Sequence, residues 1–62
     1  MTRKGRVSSV DNSKRRARVS FGNSITPEIL IASNLDVLNI NDMVAVAFFS
    51  DSMEDGLIIA KF

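Results

Sequence analysis

The chain has 62 residues, a formal net charge of +1, and neither cysteine nor histidine. A chain of this length makes one domain, residues 1–62, and buries only about 60% of the surface its unfolded form exposes. With disulfides excluded and a zinc site left with carboxylates alone, association with other chains is the remaining stabilising aid.

The first strand is expected over Arg3–Val10. Asp11-Asn12-Ser13-Lys14 reads as a turn, because Asp, Asn and Ser side chains hydrogen-bond to nearby backbone and tolerate tight dihedrals. Arg15–Phe21 is the second strand and alternates most cleanly. Ala17, Val19 and Phe21 point one way, and Arg16, Arg18 and Ser20 the other. Gly22-Asn23-Ser24 is the next turn, and Pro27 requires a strand start or edge. A third strand is expected over Glu28–Ala32. Ser33–Asp42 reads as a loop or a single helical turn capped by Ser33 or Asn34. The fourth strand is Met43–Ser50, and an acidic loop, Asp51–Gly56, leads to the fifth, Leu57–Phe62. Gly5, Gly22 and Gly56 read as bends or turns, with Gly56 expected at positive φ.

Five short strands with turn signals every eight to twelve residues predict an all-β barrel. The longest connection falls between the third and fourth strands, which favours a five-stranded Greek-key barrel of the OB type, with an SH3-like barrel as the alternative. The fourth strand is apolar on both faces, Met43, Ala45, Ala47 and Phe49 against Val44, Val46 and Phe48. One row belongs to the core and the other to a contact surface. Val44, Val46 and Phe48, with Phe62, are the candidate subunit interface.

Charge is divided along the chain. Seven of the eight basic residues are Arg3, Lys4, Arg6, Lys14, Arg15, Arg16 and Arg18, whereas six of the seven acids lie from Glu28 onward. The seven cations form a candidate basic contact face, suited either to phosphates or to acidic surfaces of other subunits. The four phenylalanines stand in strand-core contexts and Trp and Tyr are absent, which weighs against base stacking. Asp51, Glu54 and Asp55 lack the spacing of a calcium loop. No paired-carboxylate motif, phosphate-binding glycine loop or serine elbow is present, so neither catalysis nor a cofactor is expected. The basic start lacks the apolar stretch of a signal peptide. The longest apolar run, Met43–Phe49, is far short of the ~20 residues that span a bilayer, so a soluble chain made in the cytoplasm is expected.

Two segments carry a resemblance. Gly5-Arg6-Val7-Ser8-Ser9-Val10-Asp11 followed by Arg16-Ala17-Arg18-Val19-Ser20-Phe21, and Ile40-Asn41-Asp42-Met43-Val44-Ala45-Val46 followed by Ser50 to Ala60, resemble the OB-fold domain of the phage baseplate assembly protein V family. Glycine usually stands in that family at the place of Asn41. An aromatic expected in the third strand is missing here, and the proline is shifted to Pro27. The resemblance implies a non-catalytic structural component of a phage or prophage tail baseplate or spike, residing in a virion or tail-like particle. It also implies homo-oligomers, trimers above all, and other tail proteins as partners. Family members continue into a β-helical spike that this sequence lacks, so membrane insertion by this chain alone is not expected. A nucleic-acid-binding OB module and a small regulator that docks by an edge strand are the alternatives.

Overall fold

The computed structural model describes all 62 residues and contains strands and loops but no helix. Six strands form in chain order: β1 (Thr2–Asp11), β2 (Arg16–Phe21), β3 (Ser24–Ile25), β4 (Ile29–Ile31), β5 (Met43–Phe48) and β6 (Gly56–Lys61). The two-residue β3 falls where a turn is expected. It exists because Ser20 pairs with Ile25 and Phe21 with Ser24 across the Gly22-Asn23 turn.

The remaining five strands close on themselves. β1 pairs with β2, β2 with β4, β4 with β6, β6 with β5, and β5 with β1 again. Only β4 and β6 run parallel. The result is a closed five-stranded mixed barrel of the OB-like kind, with the longest connection between its third and fourth strands. β1 belongs to both ends of the sheet. Its first half, Thr2 to Arg6, pairs with β5, and from Arg6 onward it pairs with β2. A bulge between Val7 and Ser9 accompanies this change of partner, and a second bulge places Ile59 outside the β5–β6 ladder.

Inward side chains make a single core: Val7, Ala17, Val19, Ile29, Ile31, Leu38, Val44, Val46, Phe48 and Ile58. The alternation expected for β2 holds, with Ala17 and Val19 buried and Arg16 and Arg18 exposed. Thr26 is the buried polar residue. Its Oγ accepts the Val19 N–H and its own N–H donates to the Val19 carbonyl, so no polar atom is stranded where the chain leaves β3.

Residues 32–42 form a loop rather than a helical turn, and Leu38 within it is fully buried in the core. The loop is held from outside. Asn12 donates to the Leu38 carbonyl and accepts the Leu38 N–H, each at 3.0 Å. The Asp42 carboxylate accepts the Asn39 N–H at 2.8 Å, and Asn41 adopts φ 76°. That backbone conformation is one that glycine adopts freely and asparagine tolerates.

Gly5 and Gly56 do not form turns. Both lie within strands, and Gly22 is the glycine with positive φ, at 68°. A Cβ on Gly5 would stand 2.5 Å from Val19 and 2.6 Å from the Phe21 ring, and one on Gly56 would stand 2.9 Å from the Phe48 ring. The two glycines make room for two rings, which meet edge to face at 5.8 Å.

Candidate functional site

The basic face assembles from the β1–β2 hairpin, less Arg15, and with Arg3 set apart over the Phe21 ring. Arg6 pairs with Ser20, Ser9 with Arg18, and Asp11 with Arg16, which places Arg6, Arg16 and Arg18 on the outer side of the hairpin with Lys4 beyond them. Lys14 occupies the turn. Arg15 does not belong to this face. At φ 56° its guanidinium turns back and donates to the carbonyls of Ala32 and Leu35 at 2.8 and 2.6 Å, so it fastens the 32–42 loop to the hairpin. A run of three basic residues, Lys14 to Arg16, gives no sign of which one folds inward; the positive φ, invisible in the sequence, selects it.

Hydrogen bonds shape the turn itself. The Asp11 carboxylate accepts from the Ser13 hydroxyl, the Lys14 N–H and the Ser13 N–H. The Ser13 hydroxyl bond, then that from Lys14, holds the Asp11 carboxyl below its ordinary value of 3.8. Asp42 is likewise lowered, first by the Asn39 N–H and then by Lys61.

Between the first half of β1 and the end of β2 lies a cleft of about 350 Å³, lined by Arg3 to Arg6 on one side and Ser20 to Gly22 on the other. Its lining includes three cations and no acid. The Arg3 guanidinium lies 4.7 Å from the centre of the Phe21 ring, a cation–π contact that covers this ring.

The subunit interface expected on Val44, Val46 and Phe48 is corrected by their burial. Their exposures are 0%, 0% and 6%, because this row points into the barrel. Met43, Ala45 and Ala47 face outward instead. Ala47 pairs with Leu57 and Leu57 with Leu30, while Ala45 pairs with Ala60. Small side chains at the centre of this wall leave it flat, and Leu30, Ile59 and Phe62 stand exposed around it. Phe62 is thus the one member of the expected interface at the surface, with the Lys4 ammonium 5.7 Å from its ring centre.

Only Phe48 of the four phenylalanines is core; Phe21 is half-buried, and Phe49 and Phe62 are exposed. The two exposed rings do not form a stacking pair. Phe62 bonds to the carbonyl of Met43 at the start of β5 and Phe49 follows its end, a separation of about 20 Å along the strand. Asp51, Glu54 and Asp55 share a loop without converging into a three-ligand metal set. No helix is long and apolar enough to cross a membrane. No protein-family model matches the chain, and no curated protein is significantly similar to it.

Proposed function

We propose that this chain is a non-catalytic assembly module, an OB-type barrel that packs its outer wall against neighbouring subunits in a phage or prophage tail. The observation that carries this reading is the apolar outer wall of β4, β6 and β5, with Leu30, Ile59 and Phe62 exposed around Ala45, Ala47 and Ala60. Contiguous apolar surface of this kind marks interaction sites. A standard interface takes about 800 Å² from each partner, roughly a fifth of this molecule's 3911 Å². The resemblance of the two sequence segments to baseplate assembly protein V domains supplies the setting, and three-fold association follows from that resemblance. The basic hairpin face sets register against acidic segments of a neighbour.

The test is absolute mass in solution, by light scattering after size exclusion, at low and high salt. A trimer is expected at both, and Leu30→Lys with Ile59→Lys is expected to give a folded monomer, since both side chains already face water. Arg16→Glu with Arg18→Glu should weaken assembly in a salt-sensitive way. A wild-type chain that is monomeric at every concentration and salt would sink this reading.

A second reading, nucleic-acid binding, is favoured by one observation. Arg3, Lys4, Arg6, Lys14, Arg16 and Arg18 have no ion-pair partner, the single salt bridge being Lys61–Asp42 at 3.4 Å. It predicts affinity for oligonucleotides that falls linearly with log salt, at about 0.7 per phosphate contacted for single strands.

A further inference from the structure

Within the closed barrel, part of one long strand is left unpaired on one side. In β1 the residues that bond to β5 alternate. Met1 exchanges both main-chain bonds with Phe48, and Val7 donates to Asp42 and accepts from Asn41. By the antiparallel pattern Arg3 and Gly5 also face β5. Thr2 and Lys4 therefore direct their N–H and C=O groups the other way, toward β2. The β1–β2 ladder ends at Arg6–Ser20, however, and the next step, Lys4 with Gly22, is not made. The cleft opens at that point, floored by Gly5 and Phe21. The strand edge is thus unpaired over Thr2 to Gly5, about 13 Å at the usual rise per residue.

We infer that this edge is a strand-addition site for an extended acidic peptide segment of a partner protein, bound through the main chain of Thr2 and Lys4 and the side chains of Arg3, Lys4 and Arg6. Unpaired N–H and C=O groups at alternate residues are what a peptide strand recognises. Charge fixes the kind of peptide, because the cleft brings together three cations that no acid of this chain neutralises. Cations at an edge also discourage a second, equally basic copy from pairing there. A single-stranded nucleic acid fits less well, since it needs an open aromatic face. The Phe21 ring carries Arg3 above it and meets Phe48 at 5.8 Å. The inference deepens the assembly reading and rests on it for the partner being a protein. The edge lies apart from the apolar outer wall.

The test uses the full chain and a blocked hexapeptide, Glu-Val-Asp-Thr-Glu-Ile, against two controls: the same peptide N-methylated at alternate residues, and oligothymidylate. Amide exchange and ¹⁵N-resolved shifts are followed at Thr2, Lys4 and Gly22. The peptide is expected to bind and to slow exchange at Thr2 and Lys4. N-methylation should weaken it about tenfold, the loss of one to two hydrogen bonds. Lys4→Pro removes an N–H that no protein group uses, so the fold should survive while binding falls about tenfold below that of Lys4→Ala, which keeps the N–H. The Leu30→Lys, Ile59→Lys variant should still bind the peptide, which separates this site from the assembly surface. Four results would each overturn the inference: no binding at millimolar peptide, equal binding of the N-methylated peptide, displacement of the peptide by oligothymidylate, or concentration-dependent protection of Lys4 in the chain alone.

Discussion

Arg15 performs its task from a left-handed backbone conformation, at φ 56°, that costs an L-residue about 1–2 kcal/mol. What offsets this is its pair of bonds to the Ala32 and Leu35 carbonyls. Arg15→Ala keeps the backbone cost and loses both bonds, and should destabilise by about 2 kcal/mol in urea unfolding. Arg15→Gly loses the bonds and relieves the backbone, so its stability should fall between wild type and Arg15→Ala. An Arg15→Ala variant as stable as wild type would show that the guanidinium contributes nothing. Asp11 gives a pH signature. Its carboxyl is lowered from 3.8 by the Ser13 hydroxyl bond first, as Asp42 is by the Asn39 N–H. A carboxyl depressed in the folded state favours folding above its unfolded value, and that contribution is lost as pH falls through the folded value. Thermal stability should therefore hold above pH 3.8 and decline below it. Ser13→Ala should raise the Asp11 titration midpoint measured by carbon-13 NMR.

At the scale of elements, β1 and β6 carry glycines for space rather than for turning. Gly5→Ala should destabilise by about 1–3 kcal/mol through overpacking against Val19 and Phe21. Trimming the ring, as Phe21→Leu, should recover part of that loss in a double-mutant cycle. Gly22→Ala meets nothing within 4 Å and costs only its φ of 68°, so no core substitution should rescue it. The sequence shows a glycine in each case but not the ring above it, and the roles of Gly5 and Gly56 were not legible for that reason. Alternation reveals β2 because one face is polar. It cannot say which face of β5 is core, because Val44 and Ala45 are both apolar. Register decides that question, and register depends on partners tens of residues away. The same holds for the cleft, since the point where β1 leaves β2 is set by β5. The five-stranded barrel, the turn at Asp11 and the exposed basic residues of the hairpin needed only local pattern, and the sequence reveals them.

For the whole molecule, the charges are mostly unspent. One exposed ion pair, Lys61–Asp42, stands against six cations crowded on the β1–β2 hairpin and the cleft beside it. Exposed pairs contribute about 0–1 kcal/mol, so their loss to screening is small. Repulsion among the cations is screened by the same salt, whose Debye length falls from about 30 Å at 0.01 M to about 3 Å at 1 M. The melting temperature should therefore rise with sodium chloride across that range. A fall would indicate that attractive pairs not seen here hold the fold.

β5 lies between the two strands that contain the chain's ends. Met1 is bonded to Phe48 at one end of β5, and Phe62 to the Met43 carbonyl at the other. β1 and β6 both run antiparallel to β5, so they point the same way. A tension applied between Met1 and Phe62 would draw β1 and β6 in opposite directions along β5. The ladder bonds lie perpendicular to that pull, so they would have to rupture together rather than unzip one after another. This barrel should accordingly yield abruptly and at high force when stretched from its ends, and more gently when pulled across the β1–β2 turn.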